Sequence, residues 1–145
     1  MVSFDELNEQ NHKISELTQV IMYLIKDRSI CDSEVTCALF FDLTDKIKDQ
    51  LDMEERELYK DLLTHKDQEL NVLANEYLSS SVEFKRKLKS YIKYWCHNKS
   101  LRIKNHDDFL NKTDELFSIM QDRIVNVTEN LYPLVKKINS EKVAA

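Results

Sequence analysis

Apolar residues recur along this chain at the three- and four-residue spacing of an α-helix, in four separate stretches. Each stretch pairs one apolar stripe with one charged face, as in a helix that packs against its neighbours along one side. Helices are predicted over residues 4–27, 34–63, 67–95 and from 105 to at least 138. Because the links between them are short, we expect an all-α, up-down-up-down antiparallel four-helix bundle.

The chain of 145 residues contains no glycine and a single proline, Pro133. Sandwiches, dinucleotide-binding units and phosphate-binding loops need glycine at tight turns, so none of them is expected, and hairpins are disfavoured as well. The length fits one domain, which we place at residues 1–140, followed by a flexible C-terminal tail at 141–145. Pro133 should bend the last turns of the fourth helix, because it cannot donate a backbone hydrogen bond.

Polar residues interrupt all four apolar stripes near the middle of each predicted helix. Because a helix rises about 1.5 Å per residue, the interruptions are expected at one common level of the bundle. The predicted core polar cluster consists of Asn11, Gln50, Glu54, Ser80, Ser81 and Arg123. A buried carboxylate is costly without a partner, so we predict an ion pair between Glu54 and Arg123. Gln50 and the two serines should satisfy the remaining donors and acceptors.

Three segments resemble, in the same order, the hemerythrin and HHE cation-binding family. "HKISEL" resembles its first histidine region, "QLDMEERELY" resembles its His-x-x-x-Glu-Glu signature, and "RIVNVTENLYPLV" resembles its closing segment. The resemblance covers roughly the whole chain and implies a hemerythrin-like bundle with a non-haem di-iron site. Such a site would bind or sense oxygen or nitric oxide, or handle iron.

The ligand set that the resemblance implies is only partly present in this chain. Glu54 matches the family's bridging carboxylate, and His12 is the histidine nearest to the same level, although it should face away from the apolar stripe. Other residues stand where the family has ligands: Gln50, Ser80 or Ser81, Arg123 and Val127. We therefore expect an eroded centre without a cofactor. A retained non-haem di-iron site that uses His12 and Glu54 is the alternative.

Two predicted loops bring potential zinc ligands to the end of the bundle opposite the termini. These residues are Cys31, Cys37, Cys96, His97 and His106. Zinc takes four Cys or His ligands, so a loop zinc site or a thiol redox switch is a second alternative. However, the Cys-x5-Cys spacing is not that of a standard zinc knuckle. Free cysteines commonly pack as small apolar groups, which is the role we expect for these.

The net charge of −5 conceals one basic stretch, residues 84–104, which holds eight Lys or Arg and no Asp or Glu. A positive surface on an acidic protein attracts acidic partners, so we expect a protein partner to dock there. Nucleic-acid binding is not expected, because several aromatic residues of this stretch fall on the core side of their helix.

The sequence shows neither an export signal nor a membrane span, so we expect the protein in the cytoplasm. No apolar run approaches the roughly 18 residues of a membrane span, so no membrane contact is expected. The polar N-terminal segment "MVSFDELNEQ" does not resemble a signal peptide, and the three cysteines then fit a reducing cytoplasm.

Catalytic motifs do not occur in the sequence, which has no nucleophile elbow, no glycine-rich loop and no His-Glu-x-x-His. The prediction is therefore a non-enzymatic, hemerythrin-like protein that serves as a cytoplasmic signalling or protein-binding module. Iron-dependent binding or sensing of oxygen or nitric oxide is the alternative function, and zinc or thiol redox sensing is the second alternative. The pattern carries no indication of an oligomeric state.

Overall fold

The computed structural model describes residues 3–144, with side chains described up to residue 141. Within that range the chain is mostly helical and forms four helical segments, so the prediction of an all-α helical bundle is confirmed. The helical elements are α1 (Phe4–Ile25), α2 (Glu34–Glu54), a first π-helical turn (Glu55–Tyr59), α3 (Lys60–Leu63), α4 (Gln68–Trp95), α5 (His106–Asn126), a second π-helical turn (Val127–Leu131) and α6 (Tyr132–Ala144). Each π-helical turn joins the helices on either side of it into one continuous segment.

A side-chain cap precedes each of the four helical segments and explains where it begins. Each capping oxygen accepts a hydrogen bond from a backbone N–H in the first turn. The caps are Ser3 before α1, Ser33 before α2, Asp67 before α4 and Asn105 before α5. The predicted starts therefore agree with the structure, since a capping residue is readable from sequence wherever it precedes an apolar periodic stretch.

The second π-helical turn is separated from Pro133 by a single residue, Tyr132. Proline has no N–H to donate to the carbonyl of Glu129 four residues earlier, and its ring clashes with that carbonyl. A π-helical turn over Val127–Leu131 widens the backbone at this point. The helix then continues as α6 to Ala144, so residues 141–144 of the predicted tail are helical, and Ala145 lies outside the described residues.

A short hairpin links α4 to α5, and the sequence argument against hairpins was wrong at this one place. Strand β1 (Cys96–His97) pairs antiparallel with β2 (Ser100–Leu101). The two residues between them, Asn98 and Lys99, both have positive φ, at 49° and 61°. Asparagine tolerates this left-handed region, so the turn forms without glycine, although Lys99 carries a steric cost there.

Two apolar clusters fill the interior of the bundle, one toward each end. The first includes Ile14, Leu51, Phe84 and Met120. The second includes Leu7, Leu58, Tyr77 and Val127. On every helical segment a polar residue lies between a member of one cluster and a member of the other: Asn11 in α1, Glu54 in α2, Ser81 in α4 and Arg123 in α5. Polar side chains therefore come from all four segments at one level of the bundle.

Within residues 3–144, none of the helices has the length and apolar character that crossing a membrane requires.

Candidate functional site

The candidate site is a set of buried polar side chains at the boundary between the two apolar clusters. We call it the polar layer, and it consists of Asn11, Gln50, Glu54, Tyr59, Arg123 and Tyr132. Four of these residues belong to the predicted core cluster, and the two tyrosines do not. The layer connects α1, α2, the first π-helical turn, α5 and α6.

The hydroxyl of Tyr132 is the centre of the hydrogen-bond network. It donates to Glu54 Oε2 at 2.6 Å. It also accepts from Asn11 Nδ2 at 2.9 Å and from Gln50 Nε2 at 3.2 Å. Gln50 Nε2 reaches the backbone carbonyl of Leu7 as well, at 3.0 Å. One phenol therefore joins side chains of the first, second and fourth helical segments, with its donor and both acceptor positions in use.

The carboxyl group of Glu54 is almost completely removed from water, because the residue is only 2% exposed. This burial raises its pKa, against the opposing effects of the hydrogen bond from Tyr132 and the charge of Arg123. Glu54 Oε1 lies 3.8 Å from Arg123 Nη2, so the predicted ion pair forms only as a long contact. The short contact of Glu54 is the one to Tyr132, which the sequence argument did not assign to it.

Arg123 is nearly as buried as Glu54, with a side chain 9% exposed. Its Nη2 donates to the hydroxyl of Tyr59 at 2.8 Å, and its Nη1 donates to Ser80 Oγ at 3.1 Å. Burial raises the pKa of Tyr59, which therefore stays a neutral phenol that accepts this hydrogen bond. Ser80 was predicted in the core polar cluster, but it is exposed on α4 and reaches the layer only through this hydrogen bond from Arg123.

Ser81 takes part in a different network from the one predicted. Its hydroxyl donates to Glu55 Oε1 at 2.8 Å rather than contacting Glu54. Glu55 in turn forms an ion pair with Lys85 at 2.9 Å, and Lys85 also contacts Asp52 at 2.6 Å. Ser81 thus links α4 to a partly exposed charged group beside the polar layer.

The side chains of the polar layer do not form a set of metal ligands. Glu54 is its one carboxylate, and that group is hydrogen-bonded to Tyr132. His12 faces outward, as the helical periodicity predicted, with a side chain that is 72% exposed and contacts Glu16 at 2.8 Å. Within the described part of the chain no three His, Cys, Asp or Glu side chains converge in a way that could hold a metal ion. The residues therefore do not fit a di-iron group, which needs several such ligands.

The loop cysteines and histidines lie at the same end of the bundle but have separate partners. Cys31 contacts the Arg28 side chain, and Cys37 Sγ accepts from the backbone N–H of Leu101 at 3.3 Å. Cys96 is half-buried, which raises its pKa to about 11. His106 contacts the carbonyl of Ile25 at 2.7 Å, and His97 is exposed on the hairpin. All three cysteines are free thiols that lie in or against the first apolar cluster.

Two residues of the polar layer, Tyr59 and Tyr132, were missed because each occurs at a π-helical turn. A π-helical turn adds a residue to the repeat and shifts the faces of the helix that follows it. Tyr132 follows Leu131 directly, yet both are buried. The signal present in the sequence was the tyrosine of "NLYPLV" just before Pro133, which was used only as part of the family resemblance.

A surface groove lies between α4 and α5, beside the basic stretch. It has a volume of about 850 Å³. Tyr94 stands at its edge, 72% exposed and packed edge-on against the ring of Trp95. Lys87 lines the α4 edge. The α5 edge is net acidic, with Asp108, Asp114 and Glu115 beside a single cation, Lys112, which lies 3.7 Å from Glu115. We call this feature the α4–α5 groove.

Most cations of the basic stretch are available to a partner. Lys85 and Arg86 form ion pairs with acidic residues of this chain. The other six make no ion pair with any described residue, and all are exposed: Lys87, Lys89, Lys93, Lys99, Arg102 and Lys104. The surface from α4 to the start of α5 therefore carries positive charge that the protein does not itself neutralise.

No protein-family model matches this chain, and comparisons with the curated proteins and with the solved structures found no match. The resemblance to hemerythrin-like proteins thus rests on its three sequence segments and stays a prediction.

Proposed function

We propose that this protein is a non-enzymatic, hemerythrin-like bundle with an up-down-up-down helix order, which serves as a signalling or protein-binding module. The observation that carries the proposal is that the side chains of the polar layer contact one another, where the family would have metal ligands. Glu54, the residue that matches the family's bridging carboxylate, is bonded to Tyr132 and faces Arg123. Short connections at residues 26–33 and 64–67 favour the antiparallel order. The free thiols fit a reducing compartment such as the cytoplasm.

A catalytic role in the interior is disfavoured by the available space. The cavity beside Glu54 and Arg123 measures about 20 Å³. Sites for small organic ligands are usually of the order of 300–1,000 Å³. The interior therefore serves as a rigid scaffold, and binding takes place on the surface.

The α4–α5 groove is the proposed docking site. It combines an exposed aromatic anchor, Tyr94, with two edges of unlike charge. Apolar contact near the centre of an interface and charge at its rim are the usual arrangement of a protein-binding surface.

The partner that fits this groove is an amphipathic helix of another protein. Its apolar face would pack against Tyr94, as amphipathic helices do in apolar grooves. An acidic flank would face Lys87, and a basic flank would face Asp114 and Glu115. The unlike edges fix the direction of the bound helix, because the reversed orientation would place like charges together.

Site-specific crosslinking in the native cells tests this proposal. A photoreactive amino acid replaces Tyr94 in one variant and Val72 in the matched control, which is 58% exposed on the same helix. Twenty-two residues of helix separate the two positions, or about 33 Å at the usual rise. We expect a protein adduct from position 94 that position 72 does not give, and we expect the substitution Lys87→Glu to weaken it.

Adducts of equal strength from both positions, or an adduct unaffected by Lys87→Glu, would contradict docking in the α4–α5 groove. An adduct that nuclease digestion removes would identify a nucleic acid as the partner and would also reject the proposal.

A further inference from the structure

A second pocket continues the α4–α5 groove along the same two helices. It has a volume of about 290 Å³ and shares two lining residues with the groove, Lys87 of α4 and Ile119 of α5. Ile119 is 39% exposed, so an apolar side chain lies where the two depressions meet. We call the combined depression the α4–α5 seam. It extends from Tyr94 at one end to Ser80 and Asn126 at the other.

The ends of the seam are aligned across the two helices. At one end, the ring of Trp95 packs against that of Phe109 in α5, with centroids 5.3 Å apart. At the other end, the Tyr77 hydroxyl donates to Asn126 Oδ1 at 3.1 Å. The α4 wall of the seam covers residues 80–94, which is about 21 Å or four turns at the usual helical rise. A helix that fills the seam therefore needs about the same length.

Side chains recur along both walls of the seam in alternating steps of four and three residues. On α4 these residues are Ser80, Phe84, Lys87, Tyr91 and Tyr94, and on α5 they are Asp108, Lys112, Glu115, Ile119, Asp122 and Asn126. This alternation is the seven-residue repeat by which helices pack in a coiled coil. A straight helix drifts by about 20° per heptad relative to such a repeat, so a third helix stays in contact with both walls if it has the same repeat.

The α5 wall carries a row of carboxylates seven residues apart, at Asp108, Glu115 and Asp122. Glu115 has a cation beside it, since Lys112 Nζ lies 3.7 Å away. Asp108 and Asp122 make no ion pair with any residue that the structure describes. On the opposite wall, Lys87 lies midway along the seam and is likewise unpaired. A bound helix thus meets negative charge at each heptad on one flank and positive charge near its middle on the other.

We propose that the partner of the α4–α5 seam is a helix of another protein that has a seven-residue repeat over two heptads. Its apolar side chains pack against Tyr94 and Ile119, and Lys or Arg residues seven positions apart face the carboxylates of α5. An acidic residue near its middle pairs with Lys87. Complementary charges of this kind set the register of coiled-coil helices. The inference rests on the proposed docking function, and it adds the length, repeat and charge pattern of the partner.

Crosslinking at both ends of the seam, in the native cells, tests this inference. A photoreactive amino acid replaces Asn126 in one variant and Tyr94 in another. The matched control is the neighbouring Val125, which is 50% exposed and lines neither pocket. We expect positions 94 and 126 to capture the same protein, and position 125 to capture none. Mass spectrometry should place the two crosslinked residues about two heptads apart in one segment with a seven-residue repeat.

Charge reversal at the far end of the seam tests the role of the carboxylate row. Asp122→Lys should lower the yield of the adduct from position 94 several-fold. Asp45→Lys makes the same change of charge at an exposed residue of α2, and should leave the yield unchanged.

The outcomes separate this inference from the docking function on which it rests. An adduct from position 94 alone, with a yield that Asp122→Lys does not change, would overturn the two-heptad partner and leave docking beside Tyr94 intact. Crosslinks to a segment without a seven-residue repeat, or to a second copy of this chain, would also overturn it. Absence of an adduct from both positions would reject the docking function together with the inference.

Discussion

The hydroxyl of Tyr132 lies 2.6 Å from Glu54 Oε2, and it holds a buried carboxylate that is 78 residues earlier in the chain. The same hydroxyl receives hydrogen bonds from Asn11 and Gln50. A single phenol thus satisfies polar groups from two other helical segments in a region where water contact is minimal. Because an unmet buried polar group costs more than a formed hydrogen bond gains, this residue should matter more for stability than its neighbours do.

Replacing Tyr132 by phenylalanine should destabilise the protein by roughly 3 kcal/mol, because three hydrogen bonds are lost and one of them is made to a carboxylate. The measurement is the free energy of unfolding from urea titration followed by circular dichroism. Tyr91→Phe is the matched control, since the Tyr91 hydroxyl contacts only Thr113 among the described hydrogen bonds. It should cost about 1 kcal/mol. Equal losses in the two variants would contradict the central role of Tyr132.

Glu54 should make the stability of the protein depend on pH in an unusual direction. Burial raises its pKa above the ordinary value of 4.5, so the folded protein holds this proton more tightly than the unfolded chain does. The contribution of Glu54 to stability is therefore fully present below about pH 4.5 and is lost as the pH rises through its pKa in the folded protein. Glutamine remains neutral at every pH and still offers an acceptor to Tyr132. The unfolding free energy of the parent protein minus that of Glu54→Gln should thus fall as the pH rises.

The control for this pH effect is Glu83→Gln. Glu83 is a carboxylate whose pKa is lowered by its hydrogen bond with Arg86. The unfolding free energy of the parent protein minus that of Glu83→Gln should therefore rise with pH, whereas the difference for Glu54→Gln should fall. Glu54→Ala removes the acceptor as well and leaves Arg123 without its charged neighbour, so it should cost about 3–5 kcal/mol. A difference for Glu54→Gln that rises with pH would show that Arg123 outweighs the effect of burial.

The position of the polar layer could be predicted from sequence because helical rise and periodicity are regular. Counting residues from the helix ends placed Asn11, Gln50, Glu54 and Arg123 at one height, and the structure places polar residues of all four segments between the two apolar clusters. The outward direction of His12 followed from the same periodicity.

Apart from the Glu54–Arg123 contact, the partners within the layer could not be predicted, because they depend on departures from regular helix. The π-helical turns lie directly after Glu54 and directly before Tyr132. Each adds a residue to the helical repeat, so that Tyr59, at the end of the first turn, and Tyr132, just after the second, face inward. Pro133 gives a physical reason for the second π-helical turn, but no residue type in the sequence indicates the first.

Glycine at position 99, in the hairpin turn between β1 and β2, should stabilise the protein. Lys99 has a φ of 61°, a region that costs a residue with a Cβ atom about 1–2 kcal/mol and costs glycine nothing. Lys99→Gly should therefore raise the unfolding free energy by about 0.5–1 kcal/mol, after the greater freedom of glycine in the unfolded chain is taken into account. Lys89→Gly, in the interior of α4, should instead lower it by about 1 kcal/mol. Destabilisation by both substitutions would contradict the left-handed conformation of Lys99.

Metal removal should leave this protein unchanged if side chains alone complete the polar layer. The side chains around Glu54 are those of Tyr132, Arg123, Gln50 and Asn11, and three of them have nitrogen donors that would repel or fail to bind a cation. We expect substoichiometric iron and zinc after purification without chelators, and a thermal unfolding midpoint that EDTA does not alter. A metal that bound only the folded state at a hundred times its dissociation constant would add about 2.7 kcal/mol, so its removal would be readily measured.

Stoichiometric iron with the visible absorption of an oxo-bridged ferric pair would support oxygen or nitric oxide sensing instead. Stoichiometric zinc that alkylation of Cys31, Cys37 and Cys96 releases would support a loop zinc site.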